Sequence, residues 1–444
     1  MGSTARSIFE LAGRHAPGLW AFAVVAAYVP FIPSGATYGR HAAMALGVAA
    51  LLWRSRVVPS AGHLMLGGLL GWMACGFLWT TSAWETGGEI VFWSILAGCF
   101  CVGFSFSDED VDDLWKGFGA GMVVSACFAI GQKFGMESLG LKPSWFSSDD
   151  PVWSIYDKTI WSIYPVGQVG IFLSKNMASD AAVLALIGCC AWSRIVFIPA
   201  AAVSMWLVGG RAGAMALGAA GFAGLWFSFP GRRPGLAAVA AAAAVIVLLL
   251  AHLGLLGQFS DRLQIWELVA RNLTILGHGA GTFAVAATGI EHAHNEFLHY
   301  AFELGIGSVL LWGIFAHALG SGPVLERCAL VAILAQSVVW FPLHAPVPAF
   351  LGMVLAGRLC GLRDRAAGLE RARGMACSLG LFDGDALGVG AMSEADHLRL
   401  RSDGRSGADL RATAVGRRDL PAGPADQVGT GAVRGAVSGS RTEA

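Results

Sequence analysis

The run PGLAAVAAAAAVIVLLLAHLG, residues 234–254, holds no aspartate, glutamate, lysine or arginine. A helix of about twenty residues spans the roughly 30 Å hydrocarbon core of a bilayer. The whole chain has the same character, because 55% of its 444 residues are hydrophobic, 14% are charged and the mean hydropathy is +0.60. Soluble domains carry about 25% charged residues. The sequence therefore predicts an integral membrane protein.

Charged residues and Gly/Pro breaks divide the rest of the apolar sequence into segments of similar character. The pattern predicts an all-α, polytopic fold of about twelve transmembrane helices. Sixteen tryptophans against five tyrosines suit such a fold, because indoles sit well at the headgroup level. The predicted spans are 18–33, 41–53, 62–80, 89–106, 117–133, 177–192, 195–209, 211–229, 234–254, 298–319, 325–342 and 346–362.

Basic residues in the connecting loops predict the orientation, because loops rich in lysine and arginine tend to stay cytoplasmic. With an even number of spans, both termini are expected on that side. The acidic segment SDEDVDDLW, Ser107 to Trp115, is predicted as a loop on the same side. The basic residues that set the orientation are Arg6, Arg14, Arg54, Arg56, Arg194, Arg232, Arg233 and the arginines after residue 362.

Residues 1–362 are predicted as one transmembrane domain with two long periplasmic segments. These segments are 134–176 and the main loop, 255–297; whether 161–174 is a half-inserted or interfacial segment stays open. Beyond Leu362 the sequence is rich in Arg, Gly, Ala, Asp and Ser and cannot bury enough apolar surface to fold alone. Residues 363–444 are therefore predicted as a disordered cytoplasmic tail, whose arginines can rest on anionic lipid headgroups.

The stretch EHAHNEFLHYAFELGIG, residues 291–307, places polar groups immediately before a predicted span. His292, His294 and Asn295 stand at its start. An imidazole of near-neutral pKa can take a proton from an attacking hydroxyl, and an amide can hold a sugar or orient the ring. A solvated helix cap is an equally open interpretation.

Arg211, in VGGRAGAM, and Arg262, in SDRLQIW, lie on the predicted external side, against the usual distribution of arginine. Guanidinium groups pair bidentately with phosphate oxygens, so two of them can hold a pyrophosphate. For each arginine alone, anchoring at lipid headgroups is the commoner explanation. Lys175 and Asn176, in FLSKNMASD, can add donors to the same cavity or act as a charge anchor and helix cap.

The remaining motifs give weaker evidence of a functional site. Gly277 to Phe283, GHGAGTF, is predicted as a tight turn rather than a phosphate cradle, because no strand precedes it. His344, between Pro342 and Pro346, is predicted to belong to a turn. His292, His294 and His299 lack zinc-type spacing and paired CxxC units are absent, so no metal is expected. A formal net charge of zero gives no reason to expect nucleic acid as a partner.

In their order along the chain, these motifs resemble the bacterial O-antigen ligase and polymerase superfamily of membrane glycosyltransferases. The resemblance rests on Gly210–Arg211, on DRLQIW followed by GHGAGTF, and on HAHNEFL followed by ELGIG. With the twelve-span layout it covers most of residues 18–362. The chain departs from the family's usual GxxG spacing. A single residue separates Gly305 from Gly307, and Ser308 stands at the usual place of the second glycine.

The resemblance implies an inner-membrane enzyme that joins a glycan from an undecaprenyl-pyrophosphate carrier to an acceptor hydroxyl, without a nucleotide sugar, a metal or another cofactor. The acceptor is lipid A core or a growing glycan. By position, His294 is the base or positioner, and Arg211 and Arg262 bind the pyrophosphate. The residues expected to support them are His292, Asn295, Lys175, Asn176 and Glu303.

Three alternatives stay open. A polymerase of O-antigen or exopolysaccharide repeat units uses the same donor chemistry, and a short main loop leaves room for it. A transporter of lipid-linked sugars is also polytopic and holds arginines, although paired broken helices, typical of transporters, are not evident. A structural membrane protein would not need His294, Arg211 and Arg262 on one face of the bilayer.

Overall fold

The computed structural model describes residues 13, 15–26, 35–53, 59–134, 175–191, 198–199, 201–202, 211–229, 231, 259–287, 290 and 292–378. The helices are α1 (Ala16–Ala26), α2 (Gly35–Leu52), α3 (Ala61–Cys75), α4 (Ala83–Ser105), α5 (Asp108–Phe134), α6 (Lys175–Ala191), α7 (Arg211–Ser228), α8 (Phe259–Arg271), α9 (Phe283–Ala286), α10 (Glu296–Leu304), α11 (Ser308–Ala318), α12 (Val324–Ser337) and α13 (Pro346–Ser378). Short 3-10 turns occupy Gly76–Leu78 and Gly305–Gly307, and no strand occurs in this part of the chain. The chain divides into two compact units, Met1–Glu370 and Arg371–Ala444, and the description below concerns the first.

Three segments of the described chain are long and apolar enough to cross a bilayer. They are Ala61–Leu78, Ala83–Ser105 and Glu296–Ala318. Shorter apolar helices lie at Ala16–Ala26, Arg40–Leu52, Met177–Gly188 and Gly213–Ser228. The all-helical prediction is therefore confirmed for the described residues. The predicted span 234–254 and most of 195–209 lie outside them.

Small residues let the helices of the core approach closely. Helix α1 packs on α5, α3 on α11, and α7 on α12. A Cβ atom on Gly117 of α5 would lie 1.7 Å from the Gly18 carbonyl oxygen of α1, and one on Gly357 of α13 would lie 2.0 Å from the Phe100 carbonyl oxygen of α4. Close backbone approach at small residues is typical of helices that pack within a membrane.

The acidic segment from Ser107 to Trp115 is not a loop, which corrects the sequence-based prediction. Helix α5 begins at Asp108, and Ser107 acts as its cap. The Asp110 amide donates to Ser107 Oγ at 3.2 Å, and the Asp110 carboxylate accepts from the Ser107 amide at 2.9 Å. This reciprocal capping box, together with the attraction of carboxylates to a helix N-terminus, starts the helix nine residues before the predicted 117.

A buried arginine holds the junction of α4 and α5. Arg358 of α13 is 2% exposed, and its guanidinium donates to the Phe106 carbonyl oxygen and to the Asp108 carboxylate. A buried charge is stable only when paired. Arg358 therefore ties the last described helix to the turn between two others.

The C-terminal end of α13 extends beyond the last predicted span. The span was predicted to end at residue 362, whereas the helix continues to Ser378. Disorder was predicted from residue 363, which is wrong for residues 363–378 because they belong to this helix. Residues 379–444 lie outside the described residues, so their disorder stays a prediction.

The main loop predicted at 255–297 contains regular structure. It includes α8 and the single turn α9. The second long loop, 134–176, lies almost entirely outside the described residues, so its predicted half-inserted segment 161–174 stays a prediction. The region from α8 to α13 positions the candidate site.

The Gly357→Ala variant should have a lower unfolding temperature than the wild type in detergent. Its methyl group would press against the Phe100 carbonyl oxygen of α4, and overpacking of this kind costs about 1–3 kcal/mol. Gly368→Ala in the same helix is the matched control, because no atom lies within 4 Å of its added Cβ. Equal unfolding temperatures for the two variants would show that α4 and α13 do not pack through Gly357.

Candidate functional site

His294 lies directly before α10 in a strained backbone conformation. Its φ is +49°, and it has the only positive φ among non-glycine residues in the described part of the chain. The left-handed region costs a residue with a Cβ atom about 1–2 kcal/mol. Such strain persists where the surroundings fix the conformation, and it is concentrated at functional sites.

Asn295 forms the N-cap of α10. Its side-chain oxygen accepts from the Leu298 amide at 3.0 Å. The cap part of that interpretation is therefore confirmed for Asn295, but the residue is buried rather than solvated. The cap also fixes where α10 begins, and so where His294 stands.

Two aromatic rings pack against the histidines. The ring centroids of His294 and Trp340 are 5.8 Å apart, and those of His292 and Phe341 are 4.2 Å apart. Trp340 stacks on Phe341 at 3.8 Å between centroids. Both aromatic residues belong to the loop between α12 and α13. This loop and the segment before α10 therefore form one surface.

Arg262 of α8 lies at the same surface. Its guanidinium donates to the Val339 carbonyl oxygen at 2.7 Å, beside the aromatic pair. Trp266, one turn further along α8, donates from Nε1 to the Ala293 carbonyl oxygen at 3.0 Å. These two bonds fix α8 against the loop that carries Trp340 and Phe341, called the aromatic loop below, and against the residue before His294. The structure thus brings Arg262 and His294 to one surface.

Both imidazoles are shifted toward their neutral form. Burial lowers the pKa of His294, and the nearby positive charge of Arg262 lowers it further. Burial, followed by the neighbouring imidazoles of His299, His344 and His294, lowers the pKa of His292 to about 4. A neutral imidazole can accept a proton. Burial also lowers the pKa of Arg262, but a guanidinium stays charged at any physiological pH.

The side chains of Arg211, Lys175 and Asn176 lie outside the described residues, although their helices are described. Arg211 opens α7, and Lys175 and Asn176 open α6. The two helices adjoin near these ends, because a Cβ on Gly213 would lie 1.9 Å from Ser179 Oγ. The predicted convergence of these three side chains on His294 stays a prediction.

Asp180, in the second turn of α6, lies near the start of α10. Its charge interacts with that of Glu296, the first residue of α10. Its side chain is buried, and neither carboxylate oxygen has a hydrogen-bond partner. The beginning of α6 therefore lies on the side of the fold that holds α10.

The GHGAGTF segment is a tight turn, as predicted. Gly277, Gly279 and Gly281 all have positive φ values, of 78°, 104° and 71°. The amides of Gly281 and Phe283 donate to the Glu303 carboxylate at 2.9 and 3.0 Å. Glu303 therefore holds this turn, and these two amides are not available to a phosphate.

Sequence analysis missed the role of Glu296. Its buried carboxylate accepts from the Leu343 amide and the Ser337 hydroxyl, each at 3.0 Å, and from His344 Nδ1 at 2.9 Å. His344 was predicted to belong to a turn only. Burial lowers its pKa, but the bond to Glu296 and the charges of Glu89, Glu296 and Glu303 outweigh burial and raise it to about 9.

The sequence contains one signal of this network of buried histidines and carboxylates. His299 and Glu303 are four residues apart on α10, and His299 Nε2 lies 3.2 Å from Glu303 Oε1. Residues at this spacing share one face of a helix. Nothing in the local sequence shows that Glu89 and His344, which are far apart along the chain, approach the same face.

Comparison of the chain with protein-family models, with curated proteins and with solved structures gives no match. The resemblance of its motifs to a glycosyltransferase superfamily therefore supports a proposal and does not assign a family. The chemistry of the residues around His294 supplies the second basis.

The free energy of unfolding should fall as the pH is lowered from about 6.5 toward about 4. An unfolded histidine titrates near about 6.5, whereas the pKa of folded His292 is about 4. Between these values the unfolded chain binds more protons, so acid favours unfolding. Replacing His292→Phe, which keeps an aromatic ring against Phe341, should reduce the fall. Thermal unfolding in detergent across this pH range measures it; an undiminished fall in the variant would rule out His292 as its source.

Proposed function

We propose that the chain is a membrane glycosyltransferase that moves a glycan from an undecaprenyl-pyrophosphate carrier to an acceptor hydroxyl, as O-antigen ligases do. The observation that carries this proposal is that His294 and Arg262 lie at the same surface. Glycosyl transfer to a hydroxyl needs a proton acceptor, and a departing pyrophosphate needs a fixed positive charge. The two residues supply these two groups.

In the proposed reaction, the acceptor oxygen attacks the anomeric carbon of the donor sugar. The bond from that carbon to the pyrophosphate oxygen breaks, and the electron pair leaves with the pyrophosphate. The neutral imidazole of His294 takes the hydroxyl proton, or positions the hydroxyl for its loss. Arg262 and Arg211 stabilise the charge on the pyrophosphate. The carrier bond supplies the driving force, so neither ATP nor a nucleotide sugar is required.

The proposal includes a location. The enzyme is a multi-pass protein of the bacterial inner membrane with about twelve spans, cytoplasmic termini and a periplasmic site. The three span-length helical segments support the membrane setting. The loop arginines support the orientation, because basic loops tend to remain in the cytoplasm.

A second candidate function is transport of a lipid-linked sugar. Its specific support is Asp180, a buried carboxylate in an apolar helix whose oxygens have no hydrogen-bond partner. Ionisable groups inside membrane helices are commonly parts of substrate or proton pathways. The transferase remains the better supported function, because a transporter has no need for a base beside a phosphate-binding arginine.

The deciding experiment compares surface glycans from cells that lack the gene, complemented with wild type or His294→Ala at matched protein levels. Glycans on the carrier are analysed in parallel. In cells that lack the gene, accumulation of long chains on the carrier, together with their absence from lipid A core, would identify a ligase. Single repeat units on both would identify a polymerase, and glycans retained on the cytoplasmic face would identify a transporter. Full complementation by His294→Ala would refute its catalytic role.

The pH dependence of transfer should report the interaction between Arg262 and His294. Because burial and Arg262 lower the pKa of His294, kcat/KM should decline only below about pH 6.5. In Arg262→Gln the acid limb should move to higher pH, in addition to any loss of rate. Arg271→Gln is the matched control on α8, since Arg271 is exposed and pairs with Glu267. An acid limb at the same pH in wild type and Arg262→Gln would mean that the limb does not belong to His294.

A further inference from the structure

A buried cluster of histidines and carboxylates lies next to His292, on the inner side of the site. We call it the His299 cluster, and it consists of Glu89, Glu296, His299, Glu303 and His344. Its members come from α4, α10 and the loop before α13. The His292 and His299 ring centroids are 6.2 Å apart, so the cluster adjoins the candidate site without including His294 or Arg262.

The spacing within the cluster is that of a metal site. One ligand atom from each of His299, Glu303 and His344 lies within 4.8 Å of the others. His299 Nε2 lies 3.2 Å from Glu303 Oε1, and His344 Nε2 lies 3.9 Å from Glu89 Oε1. Ligands bound tetrahedrally to zinc at about 2.0–2.1 Å are roughly 3.3 Å apart. Small side-chain movements would therefore bring His299, Glu303 and His344 to bonding distance, and Glu89, which approaches the group through His344, is the carboxylate placed to be a fourth ligand.

His344 is oriented as a ligand would be. Its Nδ1 donates to the Glu296 carboxylate at 2.9 Å, so Nε2 is the nitrogen that would bind a metal, after loss of its proton. The Nε2 atom is buried and has no hydrogen-bond partner. Histidines that bind metals commonly donate their other ring nitrogen to a carboxylate in this way. Glu296 itself is held by Ser337 and Leu343.

The charges of the cluster also favour a cation. Three carboxylates face two imidazoles, and the side chains of Glu296 and Glu303 are 0% and 1% exposed. If all three carboxylates are ionised, the five groups carry a net negative charge even with both imidazoles protonated. Buried charge without compensation is unfavourable. A divalent cation between the carboxylates and the imidazoles would supply the missing positive charge.

We propose that the His299 cluster binds one zinc ion through His299, Glu303, His344 and Glu89. The two imidazoles favour a transition metal over magnesium or calcium, which prefer oxygen ligands. Four protein ligands complete a tetrahedron and leave no position for substrate, so the site is structural. This proposal replaces the sequence-based expectation of a chain without a metal, and it is independent of the proposed transfer reaction.

The ion would join three separate parts of the chain. Glu89 belongs to α4, His299 and Glu303 to α10, and His344 to the loop that also carries Trp340 and Phe341. Because those rings pack on His294 and His292, zinc would fix the loop that carries Trp340 and Phe341 against the segment that precedes α10. Zinc binding should therefore stabilise the folded chain, since a ligand of the native state opposes unfolding.

The test uses the full-length protein in detergent, with any affinity tag removed. The protein is stripped with a chelator, incubated with zinc and passed through a desalting column that contains a weak competing chelator. The zinc-to-protein ratio is then measured by elemental analysis. We expect about one zinc per chain and a higher unfolding temperature than in the stripped protein.

Two variants locate the ion. In His299→Phe the ring still stacks on Phe283, and Glu303 keeps its two amide donors, so the fold should survive while zinc is lost. Glu89→Gln, which retains an oxygen to accept from Trp93, should weaken binding at least tenfold. His278→Phe is the matched control, because His278 also stacks on an aromatic ring, Phe302, but lies outside the cluster.

Retention of zinc by wild type and His278→Phe, with loss from His299→Phe, would establish the site. Wild type that holds no zinc after the desalting column would overturn the proposal, whatever the variants do. Equal retention by wild type, His299→Phe and Glu89→Gln would overturn it as well, because the ion would then be bound elsewhere.

Discussion

The carboxylate of Glu296 is the contact on which the rest of the candidate site depends. It begins α10, is buried, and accepts hydrogen bonds from Ser337, Leu343 and His344. These donors belong to the end of α12 and to the loop that follows it. This carboxylate therefore holds the loop that carries Trp340 and Phe341 against the start of α10. A buried anion with three donors is stable, whereas each donor would lose a partner if the carboxylate were removed.

The same organisation explains how His294 stays neutral beside a cation. Packing against Trp340 removes water from the imidazole, and Arg262 adds a positive charge nearby; both disfavour protonation. Arg262 is itself held by the Val339 carbonyl oxygen. Its placement therefore follows from the backbone of the aromatic loop. His294 and Arg262 both contact this loop, which fixes where they lie relative to each other.

Within the described residues, hydropathy predicted where most of the helices lie, because the composition and length of an apolar segment are local properties; three segments there are long and apolar enough to cross a bilayer. The boundary before α5 was missed, although the capping pair Ser107 and Asp110 is also local, because the acidic sequence was interpreted only for orientation. The His299–Glu303 spacing on one helix could have been noticed in the same way. The approach of Glu89 and His344 to that pair could not, since it depends on how α4 and the loop before α13 pack. His294 and Arg262 were predicted from the order of motifs, while their shared surface required the fold.

The backbone of His294 has a consequence for how this protein can change. An asparagine or glycine at this position would adopt a φ of +49° with less strain than histidine. Replacement would relieve that strain but would also remove the ring that packs against Trp340. A screen for heat resistance would therefore favour glycine or asparagine at position 294 only if relief of the strain outweighed the loss of that contact.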